Sequence, residues 1–160
     1  MRVLTDADAR LPSTTDALWA CESEDEETKG DDASAWTRER LARALKAPRT
    51  QCVIVCAYAG GGAGAAELGE LIGYALSASD DAMVATIERV CVKKSRRRRG
   101  VGGRLVREMG RALYARRIYD VGCKVPDELE GFFIAQNYDE DEDGCVHMRF
   151  EGKLEDVQNV

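Results

Sequence analysis

The sequence predicts a mixed α/β (α+β) fold, in which a mostly antiparallel central sheet is flanked by helices. Three strand-like apolar runs, at 50–59, 70–79 and 82–92, follow one another with no helix between them, which is typical of an antiparallel meander. Helix-like and strand-like segments alternate further along the chain, which is typical of parallel strands joined by a helix. The expected sheet is therefore mixed rather than purely parallel.

Length and composition indicate one domain spanning residues 1–160, with an acidic mobile loop at 22–32 and a C-terminal tail at 151–160. Hydrophobic residues make up 44% of the chain, and no apolar run approaches the roughly 20 residues of a membrane-spanning helix. We therefore expect no membrane partner. The formal net charge of −6 argues against nucleic acid as a partner, because phosphate backbones favour a broadly basic surface.

Short elements precede the meander. Residues 1–12 are predicted to form a strand and a turn, followed by a helix, "STTDALWAC", that is capped by Ser13 or Thr14. A second helix is predicted at 34–48, where apolar residues, including Trp36, recur at helical spacing. The acidic loop between the two helices is either a solvated segment or a lip that attracts a cationic substrate.

Helices and strands alternate after the meander. Apolar residues along one face of 101–117 predict an amphipathic helix, and a short strand is expected at 118–125. A further helix is predicted to begin at Pro126, because proline suits the first helical position. The last strand is expected at 145–152.

The loop glycines, the cysteines and the single histidine are interpreted as structural. The glycines at 60–64 lie between two strands and lack the GK[ST] signature and following helix of a phosphate loop, so they predict a flexible hairpin connection. None of the six cysteines forms a CxxC pair, and His147 is the only histidine, so no metal site is expected. Cys52, Cys56 and Cys91 lie in strand-like runs and are predicted to be buried, reduced thiols, which indicates a reducing compartment.

The stretch "VKKSRRRRGVGGRLV" at 92–106 carries the strongest functional signal. It joins the end of a strand to a basic loop and then to glycines that open an amphipathic helix. The first N–H groups of such a helix lack internal partners and carry the positive end of its dipole, and glycines let an anion approach the backbone. We predict an anion site here. A nuclear-import or nucleic-acid tract is the weaker alternative, because the basic residues lie inside the strand–helix junction.

These residues resemble the GNAT superfamily of acetyl-CoA-dependent N-acetyltransferases. Arg97, Gly100 and Gly102 match its [QR]xxGx[GA] motif, and "FFIAQNY" stands where the family has an FYxxxGF-like helix end. The resemblance covers residues 34–150 and implies a GNAT-like sheet. Within the superfamily, "GYALSASDDAMVATIERVCV" and "RALYARRIYDV" are most similar to plastid-type serotonin (arylalkylamine) N-acetyltransferases and their plastid protein-acetylating relatives.

The resemblance implies acetyl-CoA as the cofactor. Its pantetheine is expected to pair with the backbone of a strand edge, its pyrophosphate to lie on the amides of the glycine loop, and N–H groups near Val90 to polarise the thioester carbonyl. Phe133 stands where many members carry the tyrosine that protonates the leaving thiolate. The implied cofactor-binding residues are Val90, Cys91, Val92, Arg97, Arg98, Arg99, Gly100, Val101, Gly102, Gly103 and Phe133.

Glu88 is the candidate general base. Side chains alternate along a strand, so Glu88 is expected to share a face with Val90 and Val92, and Thr86 shares that face and could hold a water. The alternative interpretation pairs Glu88 with Arg89 on the surface.

Three residues depart from the family pattern. Arg89 stands where plastid-type relatives have an acidic residue, and Pro126 where many members have a cofactor-contacting asparagine. The third departure is Phe133, whose missing hydroxyl Tyr74 or Tyr138 could replace.

We expect a primary amine as the acceptor, with an arylalkylamine such as serotonin preferred. A protein lysine or N-terminal amine is an alternative acceptor, and a non-catalytic acetyl-CoA-binding domain is an alternative function. The resemblance alone implies a plastid location, with the cytoplasm as the alternative. The protein is expected to be a monomer or a homodimer.

Overall fold

A computed structural model describes residues 2–3, 12–22, 37–48, 51–60 and 69–139. Five strands and four α-helices lie in these ranges, together with 3-10 turns at Lys94–Arg96 and Asp127–Leu129. The strands are β1 (Arg2–Val3), β2 (Cys52–Ala59), β3 (Glu70–Ser79), β4 (Val84–Val92) and β5 (Asp120–Cys123), and the helices are α1 (Pro12–Glu22), α2 (Arg38–Lys46), α3 (Val101–Tyr114) and α4 (Glu130–Ile134).

The sheet has the order β1-β2-β3-β4-β5. Neighbouring strands are antiparallel from β1 to β4, whereas β4 and β5 run parallel and are connected through α3. The predicted meander and the predicted mixed sheet are therefore both confirmed. None of the helices in the described ranges is long and apolar enough to cross a membrane.

Two predicted helix starts are wrong. Helix α1 begins at Pro12, so Ser13 and Thr14 lie inside it rather than capping it. Proline fixes φ near the helical value and has no N–H that needs an acceptor, so it is well suited to the first helical position. Pro126 instead precedes the 3-10 turn at Asp127–Leu129, and the α-helix begins only at Glu130.

Several predictions fall outside the described residues. They are the acidic loop beyond Glu22, the position of Trp36, the glycine connection beyond Gly60, the acidic turn after Asp139, the final strand with His147, and the C-terminal tail.

Two apolar layers cover the sheet. The α1 layer joins α1 and α2 to one face, and its buried residues are Leu18, Cys21, Leu41, Leu45, Cys52, Ile54, Cys56, Leu71, Tyr74, Leu76 and Cys91. The α3 layer joins α3 and α4 to the other face, and its buried residues are Val53, Val55, Ala57, Ile72, Ala75, Ala85, Ile87, Leu105, Val106, Met109, Leu113, Ile118 and Phe133. The predicted burial of Cys52, Cys56 and Cys91 is confirmed.

Candidate active site

Strand β4 contains a bulge at Glu88. In its pairing with β3, Arg89 lies opposite Leu76 and Ile87 lies opposite Ser77, so Glu88 has no partner. Ala85 and Ile87 nevertheless belong to the same α3 layer as Val90 and Val92. An extra residue in one strand shifts the alternation of side chains by one position.

The expectation that Glu88 and Thr86 share a face with Val90 and Val92 is therefore wrong. Alternation from Ile87 places Thr86 on the opposite face from the α3 layer, and Glu88 lies at the position where the alternation shifts. Both side chains are exposed. Arg89 forms an ion pair with Glu22 rather than with Glu88, and the described part of the chain holds no ion pair of the Glu88 carboxylate.

The edge of β4 opens directly beyond this point. The parallel pairing with β5 ends where Ile87 lies opposite Cys123, and no described strand pairs with residues 88–92 on that side. The two strands therefore form a fork. Glu88 is the first β4 residue past its last pair.

The backbone polarity of the open edge follows from the β3 pairing. Val92 lies opposite Gly73, and the N–H of Lys93 donates a 3.0 Å hydrogen bond to the Ile72 carbonyl oxygen. In an antiparallel ladder this pattern makes Val92 and Gly73 a non-hydrogen-bonded pair. Val92, and Val90 two residues earlier, consequently direct their N–H and C=O groups toward the open edge.

Arg97 ties the basic loop to the end of β4. Its side-chain Nε donates a 2.9 Å hydrogen bond to the carbonyl oxygen of Val92. Arg97 was predicted to bind the cofactor, and its side chain has a backbone partner inside the protein. Its contact with the cofactor stays a prediction.

The start of α3, at residues 101–103, has the geometry expected of the predicted anion site, and we call it the cradle. Arg98 and Gly100 both have left-handed φ values, of 57° and 74°, which turn the chain sharply into the helix. The N–H of Arg104 makes a 3.1 Å hydrogen bond to the Gly100 carbonyl oxygen, so the N–H groups of Val101, Gly102 and Gly103 precede the first intrahelical donor. The side chains of Arg98 and Arg99 are exposed beside these N–H groups in the chain.

The glycines of α3 also allow α4 to pack closely. A Cβ atom at Gly102 would lie 3.4 Å from the ring of Phe132, and one at Gly103 would lie 2.9 Å from Oε1 of Gln136. The sequence pattern indicated only that these glycines let an anion approach the backbone. Contact with Phe132 of α4 and with Gln136, two residues after the end of α4, is a second constraint on these glycines.

Phe133 lies in the α3 layer, 9% exposed, with its ring centroid 5.1 Å from Phe132 and 5.6 Å from Tyr138. Asn137 has a left-handed φ of 65°, and the N–H of Tyr138 donates to the Phe133 carbonyl oxygen at 3.2 Å. This reversal folds Tyr138 back onto Phe133. Burial raises the pKa of the Tyr138 hydroxyl, so it stays protonated at neutral pH.

A second tyrosine, Tyr74, belongs to a buried cluster that sequence analysis missed. Its hydroxyl lies 2.5 Å from Oε1 of Glu22, and Arg89 binds the same carboxylate. Tyr74 is therefore engaged within the α1 layer, whereas Tyr138 lies beside Phe133. The signal that could have revealed the cluster is the acidic residue at the C-terminal end of α1, where a helix dipole disfavours negative charge.

The described residues contain no group of three or more His, Cys, Asp or Glu side chains that could hold a metal ion. The open edge of β4 and the cradle of α3 meet at the loop that Arg97 holds to Val92. A ligand with amide groups and a diphosphate fits these residues, since the edge offers strand-like hydrogen bonds and the cradle offers N–H donors with arginine charge.

Comparison with known proteins decides the family. Residues 11–128 match the model of the acetyltransferase (GNAT) family. The chain belongs to this family. Membership agrees with the predicted enzyme class, an acetyl-CoA-dependent N-acetyltransferase, and with the predicted cofactor.

One curated relative also matches the chain. The match of this chain to GCN5-related N-acetyltransferase 3, chloroplastic, from Arabidopsis thaliana is 32% identical over 87 residues. That match covers 54% of this chain and only 37% of the relative's length.

Solved structures show the same fold. An aminoglycoside acetyltransferase, meta-AAC0020, from an uncultured soil metagenomic sample, in complex with sisomicin, has a TM-score of 0.66 at 16% identity, covering 95% of both chains. AAC(6')-Iy in complex with the bisubstrate analog CoA-S-monomethyl-acetylneamine has a TM-score of 0.63 at 18% identity, covering 88% of this chain and 94% of the other. The predicted GNAT-like fold is therefore confirmed.

Proposed function

We propose that this protein transfers the acetyl group of acetyl-CoA to a primary amine, and that the acceptor is a small arylalkylamine such as serotonin. The observation that supports the transfer most is the open edge of β4 at residues 88–92, which adjoins the N-terminus of α3 through a loop tied to Val92. A GNAT protein needs these two features side by side, since one holds the amides of its cofactor and the other its phosphates.

The residues of this chain bind and orient the cofactor. The N–H and C=O groups of Val90 and the N–H of Val92 form strand-like hydrogen bonds along the open edge, since Arg97 already bonds the Val92 carbonyl oxygen. The α3 N–H groups and nearby arginine side chains hold the diphosphate. A backbone N–H near Val90 polarises the carbonyl oxygen of the acetyl group. When bound, acetyl-CoA supplies an acetyl thioester at this edge.

Glu88 accepts the proton of the amine in this proposal. An amine with a pKa near 10.4 is only about one part in a thousand neutral at pH 7, so a positioned base is worth roughly 10²- to 10⁴-fold in rate. The support for Glu88 is its place at the fork, its exposed carboxylate and its freedom from Arg89. Thr86, two residues earlier, is also exposed and is proposed to hold a water.

The leaving thiol needs less help than the amine. A thiol with a pKa near 8.5 is a fair leaving group as its thiolate, whereas a protonated amine cannot attack. Phe133 offers no hydroxyl, and the neighbouring Tyr138 is the candidate replacement because the two rings are in contact. Phe133→Tyr is expected to raise the rate modestly or to leave it unchanged.

Two features of the sequence support the proposed acceptor: the family resemblance and the acidic segments. The plastid-type resemblance favours an arylalkylamine, and the chloroplastic relative supports a plastid location. The acidic segments 22–32 and 139–143 suit a cationic acceptor. A protein or peptide amine is the second candidate acceptor, because the resemblance extends to protein-acetylating relatives.

The test is release of free CoA thiol with acetyl-CoA and a panel of serotonin, tryptamine, lysine-containing peptides and sisomicin. We expect the highest kcat/KM for serotonin or tryptamine and a rate that rises with pH as the amine loses its proton. Glu88→Gln is expected to reduce the rate roughly 10- to 1,000-fold below pH 8 and less above it. Its matched control is Glu39→Gln, a change of the same kind on the exposed face of α2.

Two results would overturn parts of this proposal. Full activity of Glu88→Gln at pH 7 would exclude Glu88 as the base. Binding of acetyl-CoA without acetylation of any amine at any pH would instead support a non-catalytic acetyl-CoA-binding domain, which the absence of a hydroxyl at Phe133 favours.

A further inference from the structure

A buried cluster ties the end of α1 to β3 and β4. Glu22, the last residue of α1, has a side chain that is 2% exposed. Nε of Arg89 lies 3.0 Å from its Oε1 and the NH2 group 2.5 Å from its Oε2, which is a two-point ion pair. The hydroxyl of Tyr74 donates to Oε1 at 2.5 Å.

The position of Glu22 is unfavourable for the helix itself. A negative charge at a helix C-terminus faces the negative end of the helix dipole. The tertiary contacts therefore explain this carboxylate better than helix formation does. The same helix end is also held by Cys91, whose Sγ lies 3.3 Å from the carbonyl oxygen of Cys21.

Arg89 adjoins the bulge, and the apolar pattern alone does not say which residue is extra. Ile87 and Val90 both belong to the α3 layer, so one of the two residues between them must be extra. Either Glu88 or Arg89 would satisfy that requirement. The structure pairs Arg89 with Leu76 and leaves Glu88 without a partner.

Electrostatics distinguishes the two arrangements. If Glu88 lay opposite Leu76, its carboxylate would approach the α1 layer where the Glu22 carboxylate is buried. Two like charges would then meet in a site with little water, and Arg89 would lose its partner. With Arg89 in that position, the buried carboxylate is neutralised.

We propose that Glu22, together with Arg89 and Tyr74, selects Glu88 as the extra residue of β4 and so presents the Glu88 carboxylate at the fork. The cluster is a positioning device, because none of its side chains has to touch a substrate. The consequence for catalysis rests on the proposed function, in which Glu88 is the base. The selection of the β3–β4 register by Glu22 does not depend on that function.

The test is a charge exchange, Glu88→Arg with Arg89→Glu, with the β3–β4 register read from cross-strand amide and Hα contacts by nuclear magnetic resonance. We expect residue 88 to lie opposite Leu76 in this variant, because the arginine at position 88 would then form the ion pair with Glu22. A register that keeps residue 89 opposite Leu76 would overturn the proposal. The matched control, Glu39→Arg with Arg40→Glu on the exposed face of α2, should keep the register of the parent.

A second variant covers the case in which the exchanged chain does not fold. In Glu22→Gln/Glu88→Gln/Arg89→Gln, positions 88 and 89 become identical and the buried charges disappear. We expect two β4 registers, seen as doubled amide signals for residues 87–90. A single register with residue 89 opposite Leu76 would mean that packing alone selects the bulge. Neither measurement depends on acetyl transfer, so an inactive parent protein would refute the proposed function without deciding this inference.

Discussion

Nε of Arg97 donates a 2.9 Å hydrogen bond to the carbonyl oxygen of Val92, the last residue of β4. This contact joins the two parts of the candidate cofactor site, because Val92 ends the open edge and Arg97 opens the turn toward α3. The arginine of the glycine motif therefore has a structural role that does not require the cofactor. Acetyl-CoA should bind more weakly when the contact is removed.

Arg97→Ala is expected to weaken acetyl-CoA binding about 5-fold, since an exposed hydrogen bond contributes about 1 kcal/mol. Arg97→Gln keeps a side-chain donor, so its affinity for acetyl-CoA should fall less than that of Arg97→Ala. Calorimetric titration with acetyl-CoA measures both, with Arg43→Ala on the exposed face of α2 as the control. Unchanged affinity in Arg97→Ala would show that the loop holds its shape without this bond.

Gly102→Val is expected to fold and to lose the thermal stabilisation that acetyl-CoA gives the parent protein. Ligand at 100 times its dissociation constant stabilises a folded protein by about 2.7 kcal/mol. A Cβ added at Gly102 would already lie 3.4 Å from the Phe132 ring, so a larger side chain has to cover the α3 N-terminus or displace α4.

The matched control for Gly102 is Gly110→Ala in the same helix, where a Cβ would meet nothing within 4 Å. This variant should keep its thermal stabilisation by acetyl-CoA. Its free energy of unfolding should rise by about 0.5–1 kcal/mol, because alanine favours helix more than glycine does. If the parent protein shows no thermal shift in millimolar acetyl-CoA, the assignment of acetyl-CoA as its cofactor is wrong.

Glu22→Gln is expected to destabilise the fold by about 3 kcal/mol, because it leaves the partly buried Arg89 guanidinium beside an uncharged partner. The control is Asp16→Asn, which breaks the exposed ion pair with Arg38 and should change stability little. Urea unfolding of both variants makes the comparison. Equal urea midpoints for Glu22→Gln and Asp16→Asn would mean that water solvates the Arg89 guanidinium well enough to replace the Glu22 carboxylate.

Cys123 offers a chemical probe of the fork. It is half-buried and lies opposite Ile87, the last paired residue of β4. Burial raises the pKa of its thiol, so less thiolate is present at pH 7 than in a free cysteine, and the rate of alkylation should rise with pH to a midpoint above the usual value near 8.5.

Acetyl-CoA should protect Cys123 from iodoacetamide, as followed by peptide mass spectrometry. Cys52, which is buried in the α1 layer, is the internal control and should react slowly with or without acetyl-CoA. Modification of Cys123 at the same rate with and without saturating acetyl-CoA would place the cofactor away from the fork.

Strand β3 and helix α3 could be predicted because their signals are local. β3 covers Glu70–Ser79, the range that its apolar run predicted, and α3 begins at Val101 directly after Gly100. Burial of alternate side chains and a glycine with left-handed φ leave their pattern in neighbouring residues. The family motif, Arg97-x-x-Gly100-x-Gly102, is equally local, so the family followed from the sequence and the comparison confirmed it.

The face of Glu88 could not be predicted in this way. Alternation counted along β4 alone assumes that every residue has a partner on β3, and the bulge breaks that assumption. The same limit applies to Arg89. Its partner, Glu22, is 67 residues away, and the adjacent Glu88 was the only partner that local reasoning offered.

The sequence by itself therefore determined the order of the elements in the described residues, the mixed sheet, the glycine-led start of α3 and the family, because each depends on propensity, periodicity or a motif within one short segment. Only the tertiary structure decided which carboxylate pairs with Arg89, which tyrosine lies beside Phe133 and where β4 leaves its edge open. These features depend on charges and rings from separate segments being buried against one another, and burial makes an unmatched charge too costly to tolerate. The spacing of residues within one segment cannot show which charges from other segments will be buried beside it.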